Sequence, residues 1–371
     1  MSLHSPLHDE HVALGATLVD FAGWSMPVRY SGDIAEHNAV RTSAGLFDLS
    51  HMGEISVRGA DAVDFLEYAV VGRMGAVGLG RAKYTMICAT DGGVIDDLVV
   101  YRRDWDHFVI VANASNKDTV LAALIERADG LDVDLDDESA SIALIAVQGP
   151  ASEGIVTAMT ARDADNIAAL PYYAATHVVL TGDIHAFVAR TGYTGEDGFE
   201  LFVSADEAPD VWRLAIATGG DAIIPCGLSS RDTLRLEAGM PLYGQELSRD
   251  TTPFDAGLGR VVVFGSEAKP RGTFVGRDAL EAARDAAPTR VLVGLVGEGR
   301  RSPRTGYPVV DADGTEVGIV TSGAPSPTLG KPIGMAYVPP ALADPGTIVG
   351  IDVRGRREEM TVAALPLYRR T

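Results

Sequence analysis

Cysteine is nearly absent from this chain: 371 residues include two, Cys88 and Cys226. Two sulfurs cannot build a disulfide scaffold or a four-cysteine zinc site. Histidine is sparse as well, with eight copies and no His-Glu-x-x-His or comparable ligand spacing, so no metal is expected. No apolar stretch approaches the roughly 20 residues that a membrane-spanning helix needs. Residues 1–12 lack the basic-then-apolar order of a secretory leader. Together these features predict a soluble protein of a reducing compartment, the cytoplasm, with no membrane partner. Basic residues are in deficit, 31 against 51 acidic, for a net charge of −20. A nucleic-acid binder needs a basic footprint, so no nucleic-acid partner is expected. Phosphate-cradling motifs are missing too. Gly78-Leu79-Gly80 and Gly257-Leu258-Gly259 lack the third glycine of a dinucleotide fingerprint, and the Gly323 to Lys331 run is followed by Pro332 where a P-loop needs Ser or Thr.

What is present is globular. Hydrophobic residues make up 46% of the chain, enough for a sizeable core spread over two or three domains. The charge is uneven. Through residue 270 there are 18 basic and 40 acidic residues, whereas residues 271–371 hold 13 and 11. The asymmetry suggests a C-terminal domain facing a different partner, or simple drift in surface composition.

Periodicity predicts a mixed α+β protein. Helical spacing covers residues 60–71, 117–128 (with Asn116 or Ser115 as cap), 208–217 and 230–238. Strands are expected at 83–89 and 94–103 around the turn Asp91-Gly92-Gly93, and at 107–112, 141–147, 177–180, 185–190 and 199–203. Residues 284–290, with Pro288, read as a linker. Beyond them, 291–365 consist of short strands divided by glycine and proline, the pattern of a small β-barrel or sandwich.

Three stretches could carry chemistry. In Gly92-Gly93-Val94-Ile95-Asp96-Asp97-Leu98-Val99-Val100, strand alternation puts Asp96 on one face and Asp97, Val99 and Tyr101 on the other. Each face is largely apolar, so at least one aspartate should meet low-dielectric surroundings, where it must be paired, bonded or functional. A turn-stabilising or surface pair is the plain alternative. In Arg190-Thr191-Gly192-Tyr193-Thr194-Gly195-Glu196-Asp197-Gly198-Phe199-Glu200, three glycines allow a tight turn. Glu196 and Asp197 read there as solvated turn acids. Glu200 lies inside a strand, where its carboxylate could accept two parallel N–H bonds from an arginine or an amidine-like heterocycle. Finally, Arg231 sits beside a serine cap at a helix start, where an anion is welcome, and Arg235 could form a salt bridge with Asp232 or near Glu237. His51, in Asp48-Leu49-Ser50-His51-Met52-Gly53, reads as a lone structural hydrogen-bonder.

These stretches, joined by Asp20-Phe21-Ala22-Gly23-Trp24-Ser25-Met26-Pro27, Phe47 to Gly53, Tyr243-Gly244-Gln245, Thr252 to Leu258 and Thr321 to Lys331, resemble the aminomethyltransferase, or T-protein, family of the glycine cleavage system. The resemblance covers nearly the whole chain, and its motifs are specific jointly rather than singly. It implies a three-domain cloverleaf with a central folate funnel and a C-terminal barrel-like domain. The expected division is a discontinuous folate-binding domain (1–52 and 140–283), an inserted α+β domain (53–139) and a C-terminal domain (284–371). The implied activity moves the aminomethyl carbon from the lipoyl arm of H-protein to tetrahydrofolate, free or polyglutamylated, giving 5,10-methylenetetrahydrofolate and ammonia. Tetrahydrofolate is then the one-carbon acceptor, lipoylated H-protein the protein partner, and a monomer the expected state. Position by position, the resemblance implies that Asp97 is the catalytic carboxylate and that Glu200 grips the pterin edge. It likewise implies that Arg231 contacts the folate, that Tyr84, Asn113 and Tyr193 line the pocket, and that Tyr368 makes a C-terminal contact. Two alternatives share the fold. A folate-binding protein of iron–sulfur maintenance carries a cysteine that Pro241-Leu242-Tyr243-Gly244-Gln245-Glu246 lacks. A folate-dependent demethylase is the other, and its flavin-fused forms carry an N-terminal domain for which no motif exists here.

Overall fold

The structure, a computed structural model, describes residues 2–370. Packing divides it into two compact units. One holds the residues up to 67, 73–84 and 98–232. The other holds 68–72, 85–97 and the residues from 233 onward.

The first unit is organised by a six-stranded sheet, ordered Ala175–Leu180, Ile184–Ala189, Gly198–Ser204, Ile142–Gln148, Ala44–Asp48, Ile223–Pro225. Neighbours run antiparallel except the last pair, which is parallel. Ile142–Gln148 is apolar almost throughout and buried beyond its first residue, as a strand covered on both faces must be. Helices Ser152–Met159 and Ala208–Gly219 pack on the sheet. Pro209 occupies the first turn of the longer helix, where its missing N–H costs nothing. Val211, Trp212 and Ala215 then turn into a core shared with Leu46, Ile145, Phe199 and Leu201.

A five-stranded sheet follows the order Ala82–Cys88, Val94–Arg102, His107–Ala112, Gly53–Arg58, Asp134–Asp137. The boundary between the units falls inside its first two strands. The expected turn joins those strands. Gly92 adopts φ 85°, and the Gly93 N–H donates to Asp91 Oδ1 at 3.0 Å.

The second unit contains a closed six-stranded barrel, ordered Val291–Gly297, Lys331–Val338, Glu316–Ser326, Pro308–Val310, Ile348–Asp352, Arg357–Ala363. Met360 and Val362 point inward while Glu359 and Thr361 face solvent, so side chains alternate about the wall. Leu295, Val309, Val338, Val349 and Ile351 fill the interior. Among the described residues no helix is long and apolar enough to cross a membrane.

Some elements differ from expectation. Thr17–Phe21 and Trp24–Arg29 form a hairpin whose two turn residues, Ala22 and Gly23, both have positive φ (51° and 84°). Alanine rarely adopts that conformation, so the usual turn signal is hidden. Asn116 precedes the helix Lys117–Arg127 but makes no side-chain capping bond. The helix Arg277–Asp285 occupies the start of the expected linker, which shortens to 286–290.

Candidate active site

The Arg190–Glu200 turn of the first unit is wrapped around one buried amide. Gln148, at the end of an apolar strand, is 1% exposed. Its Nε2 donates to the Thr191 carbonyl at 3.0 Å, and its Oε1 accepts from the Thr194 hydroxyl at 3.1 Å. A Cβ on Gly192 would lie 2.0 Å from Gln148 Oε1, and one on Gly198 2.4 Å from the amide carbon. The glycines are therefore required by the close approach of the Gln148 side chain.

Glu196 and Asp197 are not solvated acids. Arg41 donates to Glu196 at 2.9 Å and to the Thr194 carbonyl at 2.8 Å, with both ionic side chains 5% exposed. Arg190 pairs with Asp197 through Nε at 2.9 Å and with Glu153 at 2.7 Å. An irregular turn has few backbone bonds to hold it, and side-chain ion pairs supply the restraint. Sequence reasoning missed the Arg41–Glu196 pair because the two lie 155 positions apart. The Arg190–Asp197 pair spans only seven positions but is set by the fold of the turn.

Glu200 sits half-buried in the strand Gly198–Ser204. Its Oε2 accepts from the Thr191 hydroxyl and from the Tyr101 hydroxyl at 3.2 Å. Arg231 falls in the first turn of the helix Leu228–Glu237, and its guanidinium stacks 4.8 Å from the centre of the Tyr193 ring. Two of the expected site residues are thus brought together. Tyr84 lies half-buried in the strand Ala82–Cys88. Asn113 directly follows His107–Ala112, and its carbonyl accepts from the Asn116 N–H at 2.9 Å.

The first unit also holds a buried polar network centred on Asp48. Asp48 accepts from His11 Nε2 at 2.8 Å, from Ser5 Oγ at 2.6 Å and from the Ser50 N–H at 2.8 Å. Burial opposes ionisation of Asp48, but those bonds outweigh it and hold the carboxyl below the ordinary range. The Tyr30 hydroxyl is hydrogen-bonded to His11 Nδ1 at 2.9 Å, extending the network. His51 is different: its Nδ1 is buried without a hydrogen bond, and the ring meets Phe21 edge-on at 5.5 Å. Burial pushes its pKa down to about 4; the Asp48 charge opposes this and the Arg231 charge adds to it. Burial therefore favours the neutral imidazole, and no partner is seen for Nδ1.

In the strand Val94–Arg102, Val94, Asp96, Leu98 and Val100 are at most 1% exposed, whereas Asp97 and Val99 are partly open. The alternation is as expected, and it leaves Asp97 as the more accessible carboxylate. In the second unit, Arg235 is committed to structure. It bonds Glu246 at 2.9 Å and Ser322 at 2.8 Å, and Ser322 donates to Glu246 at 2.6 Å. Glu237 accepts from the Thr328 hydroxyl at 2.7 Å, and its carbonyl accepts from the Tyr368 N–H at 2.8 Å. This seats Tyr368 against the end of that helix.

Two family profiles match the chain in succession. The GCVT N-terminal domain matches residues 7–266, and the glycine cleavage T-protein C-terminal barrel domain matches 290–369. An aminomethyltransferase of Streptomyces coelicolor is 60% identical over 365 residues, covering 97% of this chain and 96% of that one. One from Streptomyces avermitilis is 58% identical over 372 residues, covering 99% and 98%. The crystal structure of glycine cleavage system aminomethyltransferase T from Bartonella henselae superposes with a TM-score of 0.89 at 34% identity, over 99% of this chain and 98% of that one. By these matches the chain is a folate-dependent transferase. The chain belongs to the glycine cleavage T-protein family, the aminomethyltransferases.

Proposed function

We propose that this protein transfers the aminomethyl carbon held on the lipoyl arm of H-protein to tetrahydrofolate, with Asp97 as the catalytic carboxylate. The observation that carries this reading is the end-to-end family match, with both domain profiles and full-length aminomethyltransferase relatives. Two carbon–nitrogen bonds form on the folate while one carbon–nitrogen and one carbon–sulfur bond break. The two folate N–H protons end on ammonia and on the released thiol. Positive charge builds on the transferred carbon as it leaves sulfur or nitrogen. A carboxylate fixed beside it lowers that barrier without reorganising at the moment of reaction. Asp97, partly open to solvent, suits that role, and Asp96, fully buried, a structural one.

In the same reading Glu200 and Arg231 bind the folate, and Tyr84, Asn113, Tyr193 and Tyr368 line its site. The three-domain division, a monomeric state, a cytoplasmic location and acceptance of polyglutamylated folate belong to it too. The test is direct. The purified protein, aminomethylated H-protein and tetrahydrofolate should give ammonia and 5,10-methylenetetrahydrofolate in equal amounts. Absence of folate-dependent ammonia release would favour a folate-binding protein without transferase activity.

A further inference from the structure

If Glu200 binds the folate ring edge, something must aim its carboxylate, and three oxygens in the first unit are arranged to do so. Glu200 Oε2, Thr191 Oγ1 and the Tyr101 hydroxyl form a closed triangle: Tyr101 lies 3.1 Å from Thr191 and 3.2 Å from Glu200, and Thr191 donates to Glu200. Tyr101 is 1% exposed and Thr191 3%. The phenol ring is wedged edge-on between Phe202 at 5.3 Å and Phe187 at 6.1 Å, so it has no alternative seat. Thr191 is fixed from behind, because its carbonyl takes the Gln148 amide.

The proton count makes the triangle directional. Two hydroxyls bring two protons, and the carboxylate can only accept. Thr191 gives its proton to Oε2, and Tyr101 gives its own to Oε2 or to Thr191 Oγ1. Burial, and then the Glu200 charge, push the Tyr101 phenol far above its ordinary value, so it stays a donor. Every bond the two hydroxyls make to the carboxylate falls on Oε2. Oε1 is left as the stronger acceptor for a ligand.

We propose that Tyr101 and Thr191 are positioning residues that lock the Glu200 carboxylate in one orientation and make it read an N–H-bearing ring edge mainly through Oε1. This replaces the symmetric two-oxygen grip with an asymmetric one. It rests on the reading of Glu200 as a folate contact. A ring edge that presents an acceptor instead of an amino group would face an oxygen unable to turn away, so the triangle also sets specificity.

The experiment is a double-mutant cycle on the full chain, read by calorimetric binding of tetrahydrofolate and by steady-state kinetics. Losing one hydrogen bond to a charged group should weaken binding about ten-fold or more. Tyr101→Phe and Thr191→Val should each raise the tetrahydrofolate Kd by about that factor. The KM for folate should rise more than kcat falls, with little change in the KM for H-protein. Thr191→Ser, which keeps the hydroxyl, should recover most of the affinity lost in Thr191→Val. In a Glu200→Gln background Tyr101→Phe should have almost no further effect, because the group it positions is gone. If Glu200→Gln weakens folate binding but Tyr101→Phe and Thr191→Val do not, the positioning role is wrong while the folate contact stands. If Glu200→Gln itself leaves the affinity unchanged, the underlying reading of Glu200 fails, and this proposal with it. Equal losses for Tyr101→Phe in both backgrounds would assign Tyr101 to packing alone.

Discussion

Replacing His51 with glutamine isolates a single titration in the buried network near Arg231. The imidazole is 4% exposed and its pKa is lowered from 6.5 to about 4, chiefly by burial. A folded-state value below the unfolded one means that the folded protein binds fewer protons between those two pH values. Stability is therefore full above about pH 6.5 and falls as pH drops through the window toward 4. With these two values the linkage relation gives a loss of ~2 kcal/mol by about pH 5, levelling near ~3 kcal/mol below pH 4. Other groups in the protein also titrate over this interval, so the quantity to read is the difference between two proteins. Urea unfolding of parent and His51→Gln should be compared at about pH 8 and pH 5. The parent should lose ~2 kcal/mol more than the variant over that interval. Parallel pH profiles would show that His51 is protonated as readily in the folded chain as in the unfolded one, and would refute the buried neutral imidazole.

Three more outcomes follow from buried or clustered charge. Glu246→Gln strands the Arg235 guanidinium, 2% exposed, beside an amide; it should cost about 3–5 kcal/mol in denaturant unfolding, and an unchanged midpoint would mean the pair is not ionic. Glu54 is buried with no hydrogen bond on either oxygen, and burial holds its pKa well above 4.5. Its contribution is full below that pH and lost as pH rises, so Glu54→Gln should be more stable than the parent at pH 8 and flatten the slope, and a less stable variant at that pH would contradict this. Arg300, Arg301 and Arg304, and Arg354, Arg356 and Arg357, are exposed in a region of near-neutral charge on an otherwise acidic chain. If they steer H-protein, alanine at either trio should raise its KM and flatten the salt dependence, and salt profiles like the parent's in both would end that idea.

Much of this was legible because the physics involved is local. A strand has period two, so the opposite faces of Asp96 and Asp97 could be read before any coordinates, and burial separates them accordingly. Short strands divided by glycine and proline pointed to a small β-barrel or sandwich, and the structure closes them into a barrel. What stayed hidden depends on distant residues. The Gln148 amide that shapes the Arg190–Glu200 turn sits 43 positions from Thr191, and nothing but a polar residue ending an apolar strand hinted at it. Arg41 and Glu196 are 155 positions apart, so a buried ion pair looked like a solvated acid. The Ala22-Gly23 turn escaped notice because alanine is not a residue from which positive φ is inferred.

The assignment of Asp97 to the transfer step is tested most directly by single-turnover ammonia release from aminomethylated H-protein, comparing Asp97→Asn with Asp96→Asn at saturating tetrahydrofolate. Losing one preplaced electrostatic stabiliser costs about 10²–10³ in rate. Asp97→Asn should therefore bind folate nearly as the parent does and release ammonia slower by that factor. Asp96→Asn should fold less stably yet turn over at close to the parental rate once folded. An Asp97→Asn protein that reacts normally beside an inert, well-folded Asp96→Asn would contradict the account and place the chemistry on the buried face of the strand.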